Sequence, residues 1–159
     1  MISDKPPPED LQRRIKPCPI DFRRVENFIK RAKKDLSTAQ LILRTDLEAA
    51  YELLYDGMLH CALAYMVSDG AQPDIRGKHK TVIDYVSHAL GKRYESKMKF
   101  YDRMRRRRHQ FIYEPGPYQC TEKEIADART VVQEFIDLIS EKIREKNPQG
   151  EFDFEIIRG

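Results

Sequence analysis

The amino-acid sequence predicts an all-α protein, an antiparallel up-and-down bundle of four to five helices. Long segments without proline carry apolar residues at alternating spacings of three and four, which is the period of an amphipathic helix. The 159 residues are 40% apolar and 35% charged, a balance typical of helices with solvated outer faces around one core. Seven glycines and no tryptophan argue against a sheet-rich fold with many tight turns. The length is that of one domain.

The chain divides into a proline-rich N-terminal arm (residues 1–20), a helical bundle (residues 21–147) and a C-terminal tail (residues 148–159). Because proline breaks a helix interior, the arm is expected to be extended or disordered rather than helical. The tail alternates polar and apolar residues over Phe152–Ile157, which predicts a short extended segment. Five of the nine prolines lie in the arm: Pro6, Pro7, Pro8, Pro17 and Pro19.

Two long helices are predicted directly after the arm. Asp21 is the expected N-cap of the first helix, which reaches about Arg44. The second helix runs from about Leu47 to Ser68 and ends before Gly70 and Pro73. It is apolar on most of its sides, so it should be the most buried element of the bundle. The first helix instead has a single inward stripe, formed by Val25, Ile29, Ala32, Leu36, Ala39 and Leu43.

Three further helices complete the predicted bundle. The third covers about His79–Leu90 and is stopped by Gly91, and the fourth spans about Tyr94–Tyr113. The last helix begins at the sequence T-E-K-E of residues 121–124, a capping box in which a hydroxyl and a carboxylate satisfy free amide groups. Its inward stripe is Ile125, Ala128, Val132, Phe135, Ile139 and Ile143, and that of the third helix is Val82, Ile83, Val86 and Leu90.

Cysteine usage and hydropathy narrow the class of protein. Cys18, Cys61 and Cys120 lie far apart, and the sequence has no CxxC pair and no Cys/His cluster with zinc spacing. Three reduced thiols in a cytoplasmic protein are therefore expected. No apolar run approaches the ~18 residues of a membrane span, and no signal peptide is recognisable. The sequence predicts no membrane association, no metal site and no cofactor.

One arginine falls on a face of the fourth helix that should be apolar. The inward stripe of that helix is Tyr101, Met104, Arg108, Phe111 and Ile112, so apolar residues flank Arg108 one turn away on each side. A buried guanidinium needs an anionic partner, because an unpaired buried charge is very costly. That partner is either a carboxylate of the bundle, such as Asp56 of the second helix, or a ligand such as phosphate.

The neighbouring arginines carry most of the positive charge. Formal net charge is +3, and without the five arginines of residues 103–108 the remainder would carry +3 − 5 = −2. Arg105, Arg106 and Arg107 span more than half of the helix circumference, so they cannot all face one ligand. With Arg103, they form either a solvated face or an electrostatic footprint for a phosphate backbone.

The segment Arg108-His109-Gln110-Phe111-Ile112-Tyr113 resembles the motif of HEPN domains (higher eukaryote and prokaryote nucleotide-binding domains). That motif is an arginine, a polar residue, three variable residues and a histidine. Here Arg108 and His109 take the first two places, and Tyr113 stands where the histidine belongs. The second helix around Ala50–Ala62 and the segment Gly77–Ile83 also look like parts of the family. The resemblance covers about residues 22–145.

The resemblance implies a bundle of four or five helices, usually a homodimer, in which two motif helices meet in a cleft. Active members resemble metal-independent ribonucleases, many of them toxins paired with a small nucleotidyltransferase antitoxin. This implies Arg108, His109 and Tyr113 as catalytic residues. The residues expected to contact RNA or nucleotide are Arg103, Arg105, Arg106, Arg107, Asp56 and His60.

Tyr113 leaves alternatives open, because a phenol with a reference pKa of ~10 is a poor base at neutral pH. One alternative is a non-catalytic domain that binds a nucleotide or a nucleotidyltransferase partner. Another is a bundle whose arginines only stabilise a dimer. In some family systems a tyrosine beside the motif accepts AMP from the partner transferase. The register Arg103 with His109 would restore an Arg/His pair, but the two positions lie about 240° apart on an ideal helix.

The other histidines are weighed by position. His60 follows Asp56 by one turn, so the pair is expected to face Arg108 across the bundle, unless His60 is a satisfied core histidine. His79 lies near a helix start and His88 is expected to be exposed, and neither is assigned a role.

Overall fold

The structure, a computed structural model, describes residues 5–74, 78–114, 116 and 120–147. This part of the chain contains six helices and one small sheet, which confirms the all-α prediction apart from the sheet. The elements in chain order are α1 (Glu9–Gln12), β1 (Ile15–Pro17), α2 (Phe22–Ile42), α3 (Leu47–Ser68), β2 (Ala71–Pro73), α4 (Lys78–Leu90), a 3-10 turn (Lys92–Tyr94), α5 (Glu95–Tyr113) and α6 (Glu122–Lys146).

Helix α3 lies at the centre of the bundle and packs against α2, α4, α5 and α6. Its sequence is apolar on most sides, and the prediction that it is the most buried helix is confirmed. Gly57 brings α2 close, since a β-carbon at that position would lie 3.3 Å from the carbonyl oxygen of Ala32. The fully buried aromatic rings of the core include Tyr55, Tyr65, Tyr101 and Phe135.

The predicted caps and inward stripes of the outer helices are largely confirmed. The Asp21 side chain accepts hydrogen bonds from the backbone amides of Arg23 and Arg24, although α2 ends at Ile42, two residues early. The Thr121 hydroxyl accepts from the Glu124 amide at 3.1 Å. The predicted stripe residues of α4 and α6 are all buried, and so are those of α2 except the half-buried Leu43 beyond its end.

Among the described residues, the capping box at the start of α6 forms one of its two expected hydrogen bonds, the one from the Glu124 amide to the Thr121 hydroxyl. The Glu124 carboxylate accepts from the Arg107 guanidinium of α5, at 3.1 and 3.3 Å. A charged fork is a stronger donor than a backbone amide, which explains where this carboxylate turns. The cap of α6 therefore also joins α6 to α5.

Helix α5 keeps its predicted inward face over most of its length. Tyr101 and Met104 are fully buried and Phe111 is half-buried, with its ring edge-on to Tyr51 at 5.5 Å. The prediction that Ile112 points inward is wrong, because this side chain is 42% exposed. It lies in the last turn of α5, level with the first turns of α3, where the core ends.

The N-terminal arm differs from the prediction. Glu9–Gln12 form one helical turn directly after Pro8, a position where proline does not obstruct a helix, so the expectation of no helix is wrong there. Leu11 of this turn is buried. Strand β1 pairs antiparallel with β2, Ile15 opposite Pro73. Arg14 then donates to Asp84 of α4 at 2.9 Å, so the arm packs on the bundle.

Two predicted segments lie outside the described residues: the tail 148–159 and the turn beyond α5, apart from Gly116. Within the residues that the structure describes, no helix has both the length and the apolar character needed to cross a membrane.

Tyr101→Phe is expected to raise the free energy of unfolding by about 1 kcal/mol. The Tyr101 hydroxyl is buried in the core and has no hydrogen-bond partner among the described residues, so no hydrogen bond offsets the free energy lost when it leaves water. Urea unfolding followed by circular dichroism measures the change. Tyr55→Phe is the matched control, because it removes a hydroxyl that does have a partner and should lower stability. Destabilisation by Tyr101→Phe would contradict the assignment.

Candidate functional site

The Arg108 side chain lies at the edge of the core, between α5 and α3. Its guanidinium carbon is 5.3 Å from the centre of the Tyr55 ring, a cation–π contact. Its Nε lies 3.7 Å from Oδ1 of Asp56, which is a charge pair but too long for a hydrogen bond. Nε is buried and has no hydrogen-bond partner among the described residues, while 28% of the whole side chain is exposed. The predicted proximity of Arg108 and Asp56 is confirmed, and the guanidinium keeps its donors largely uncommitted.

Two carboxyl groups of α3 lie within the electrostatic reach of Arg108. Burial raises the pKa of Asp56, and Arg108 partly opposes that effect. Burial likewise raises the pKa of Glu52, again opposed by Arg108. A carboxylate that is costly to ionise, and that is not in hydrogen-bond contact, competes weakly for a guanidinium. An anionic ligand could therefore displace this partner.

The preceding arginines are engaged in hydrogen-bonded ion pairs. Asp102 accepts from Arg105 at 3.0 Å and from Arg106 at 2.7 Å. Burial alone would raise the pKa of Asp102, but the hydrogen bonds from Arg106 and Arg105 hold it below its usual value. Arg107 donates twice to Glu124 and also covers the face of Phe111. The charges of these three arginines are thus largely neutralised within the chain, which weakens the prediction of a phosphate footprint.

Arg103 and Arg106 line a groove of about 620 Å³ between α4 and α5. Lys80 and Lys99 also line it, but Asp84, Glu95 and Asp102 balance most of this positive charge. Arg103 is exposed and lies over the ring of Phe100 at 5.3 Å. Among the described residues, those that line this groove include Arg103 and Arg106 but not Arg108. Arg108 therefore lies apart from these two arginines.

His109 and Tyr113 lie together, but they do not join Arg108 within the chain. Helix α5 stays regular through Tyr113, so the two side chains fall one turn apart, with ring centres at 4.5 Å. Both are exposed, Tyr113 to 70%. The bend that would bring Tyr113 round to Arg108 does not occur before Tyr113. The same unbroken helix keeps Arg103 and His109 apart, as their angular separation on an ideal helix predicted, so the alternative register does not form within one chain.

His60 turns away from Arg108. Its Nδ1 lies 2.7 Å from Oδ2 of Asp35 on α2, and its ring stacks on Phe28. Asp35 is 1% exposed and also accepts from Arg31 at 3.0 Å. Of the predicted pair, only Asp56 faces Arg108, whereas His60 is half-buried and its Nδ1 is hydrogen-bonded within the bundle. The signal that could have revealed Asp35 is its place on the apolar face of α2, three residues after Ala32.

His79 and Tyr55 are neighbours of Arg108 that the sequence analysis missed. The Tyr55 hydroxyl lies 2.9 Å from Nδ1 of His79 at the start of α4, and the two rings stack at 5.7 Å. Burial lowers the pKa of His79, and the positive charges of Arg108, Lys78 and Arg105 lower it further. Burial raises the pKa of Tyr55. Tyr55 and His79 belong to different helices and are 24 residues apart in the sequence, so no local pattern could reveal their contact.

The thiols are free, as predicted, and lie in different parts of the bundle. Burial raises the pKa of the Cys120 thiol to about 12, which makes it unreactive at neutral pH. Within the residues that the structure describes, the His, Cys, Asp and Glu side chains form no group of three that could hold a metal ion.

The model of the HEPN domain family matches residues 25–143 of the chain. This range includes the core helices and every residue around Arg108 described above. No curated protein and no solved structure matches the chain.

Asp35→Ala is expected to lower the free energy of unfolding by about 2–3 kcal/mol, because it leaves His60 and Arg31 without their shared acceptor. Urea unfolding of the variant measures the loss. The matched control is Asp127→Ala, which breaks an exposed pair with Lys123 and should cost less than about 0.5 kcal/mol. Equal losses in the two variants would show that the Asp35 cluster contributes nothing specific.

Proposed function

The chain belongs to the HEPN domain family, a family of toxin–antitoxin ribonucleases, and we propose that it is a metal-independent endoribonuclease acting through Arg108. The observation that carries this proposal is the state of that guanidinium. Carboxylates accept hydrogen bonds from its neighbours Arg105, Arg106 and Arg107, whereas among the described residues the contact of Arg108 with Asp56 is too long for a hydrogen bond. A phosphate group would supply the hydrogen bonds that this side chain lacks.

The proposed reaction is the attack of an RNA 2′-hydroxyl on the adjacent phosphate. A bond forms between the 2′-oxygen and phosphorus, and the bond from phosphorus to the 5′-oxygen breaks. Arg108 donates to the phosphoryl oxygens as negative charge builds on them. The 2′-proton passes to the His109 imidazole, and the departing 5′-oxygen takes a proton from water. Asp56 holds Arg108 in place before RNA binds.

A second copy of the chain would complete this site. His109 and Tyr113 face away from Arg108 within one chain, so they can act on the same phosphate only across a dimer. The exposed apolar side chains of Ile112 (42%) and Tyr113 (70%) at the end of α5 support an interface there. In a two-fold dimer each cleft would take Arg108 from one protomer and His109 with Tyr113 from the other.

The second candidate is a non-catalytic domain that binds a nucleotide or a nucleotidyltransferase partner through the same cleft. Tyr113 favours this alternative, because a phenol stands where active members carry a histidine. Arg105, Arg106 and Arg107 would then mainly hold carboxylates of the chain itself.

Cleavage of single-stranded RNA is expected in buffer that contains EDTA, and Arg108→Ala should reduce its rate by about 10²-fold or more. Arg108→Lys should restore little, because lysine lacks the planar fork. Gel analysis of a labelled RNA measures the rates. Arg13→Ala is the control, since Arg13 is an exposed arginine directly after α1, with a long ionic contact to Glu9 at 3.9 Å.

Two outcomes would count against the ribonuclease. Equal cleavage by Arg108→Ala would assign the activity to a contaminant. Intact RNA together with calorimetric binding of ATP, or of a small nucleotidyltransferase, would establish the second candidate instead.

A composite site makes a separate prediction. Arg108→Ala and His109→Ala homodimers should both be inactive, whereas a purified heterodimer of the two variants has one complete cleft and should recover on the order of half of the activity. Two affinity tags allow the heterodimer to be isolated. An inactive heterodimer would show that Arg108 and His109 act from the same chain.

A further inference from the structure

Tyr55 connects Arg108 to a histidine outside the motif helix. One face of the bundle places the Arg108 guanidinium over the Tyr55 ring, and the Tyr55 hydroxyl contacts Nδ1 of His79. We propose that His79 is a second phosphate-binding residue of the Arg108 site, and that a phosphodiester binding there promotes proton uptake by its imidazole. This inference rests on the proposed binding of RNA and adds a residue and a pH dependence to it.

The surroundings of Tyr55 define the tautomer of His79. The Tyr55 side chain is fully buried, and among the described residues its hydroxyl has no contact within hydrogen-bond distance other than His79. A buried hydroxyl donates its proton where an acceptor is present, so Nδ1 accepts from Tyr55. The neutral ring then carries its own proton on Nε2. His79 is half-buried, and no described residue bonds to Nε2, which is free to donate to a ligand oxygen.

Among the described residues, the charges that act most strongly on the His79 imidazole are positive, whereas the carboxylates Asp56 and Asp102 act on the adjoining Tyr55. Arg108 and Arg105 face it from α5, Lys78 adjoins it on α4, and the neutral Tyr55 faces it from α3. These charges and burial keep the imidazole neutral at pH 7, since its pKa lies below the usual value. A phosphodiester bound to Arg108 would bring a negative charge into the same space. That charge favours the imidazolium, so binding and protonation should strengthen each other.

Protonation of His79 reverses the local hydrogen bond. When Nδ1 gains a proton it becomes a donor, and the Tyr55 hydroxyl must rotate to accept from it, which leaves the hydroxyl proton without an acceptor among the described residues. The charge of the bound phosphodiester offsets that cost, and the imidazolium offers Nε2–H within electrostatic reach of Arg108. Since affinity rises where the complex binds more protons than the free protein, binding should tighten as the pH falls through the pKa of His79 in the complex.

A non-cleavable oligouridylate with 2′-O-methyl riboses provides the probe, because none of its groups titrates near neutral pH. Calorimetry from about pH 7.5 down to about pH 5.5, in buffers of different ionisation enthalpy, measures the affinity and the protons taken up. Wild-type affinity should increase several-fold over this range. His79→Gln should bind about tenfold more weakly at the lower pH and should lose most of the pH dependence. His88→Gln is the control, because His88 lies on the same helix and its ring hydrogen-bonds to the Lys5 carbonyl, away from Arg108.

The wild-type protein gives an independent readout through the NMR titration of the His79 ring. Its pKa should rise when the oligonucleotide binds, and an unchanged pKa would overturn the inference even if His79→Gln did not fold. Wild-type affinity and pH dependence in a folded His79→Gln variant would also overturn it. In that case, loss of binding in Arg108→Ala would leave the proposed function standing. If Arg108→Ala binds like wild type, both proposals are wrong.

Discussion

The burial of helix α3 determines where its polar side chains turn. Because α3 contacts four other helices, several of its polar side chains find partners in a neighbouring helix. Tyr55 reaches α4, Asp56 faces α5, and His60 bonds to α2. The functional groups around Arg108 are thus the lateral contacts of one buried helix.

The arginine run on α5 shows how one helix can give identical side chains different states. Successive residues are rotated by about 100°, so consecutive arginines meet different partners. Arg105 and Arg106 share the carboxylate of Asp102 one turn back on their own helix, and Arg107 finds a carboxylate on α6. Arg108 points towards α3, where the Asp56 carboxylate stands too far for a hydrogen bond. The position of Arg108 on the helix thus determines its direction, and that direction determines its partner.

The features that could be predicted from the sequence are those determined by local pattern. The N-caps of α2 and α6, the bounds of α3 and the place of Arg108 on the inward face of α5 all follow from patterns along single helices. The pairs Asp35–His60 and Tyr55–His79 join different helices, so their formation depends on helix packing that periodicity does not encode. The β1–β2 sheet was missed for the same reason, since its strands have three residues each and are far apart in sequence. Ile112 shows the opposite failure, because the regular period continues past the point where the core ends.

The contacts of the amino-terminal segment fall mainly on one region of the bundle. Arg14 binds Asp84 and Thr81 of α4, the Lys5 carbonyl contacts His88, and β1 pairs with the strand that leads into α4. Contacts with the N-terminal segment therefore help to protect the backbone amides of α4 from exchange with solvent. Native-state hydrogen exchange should therefore find these amides opening together as one cooperative unit, distinct from the slower exchange of the central pair α2 and α3.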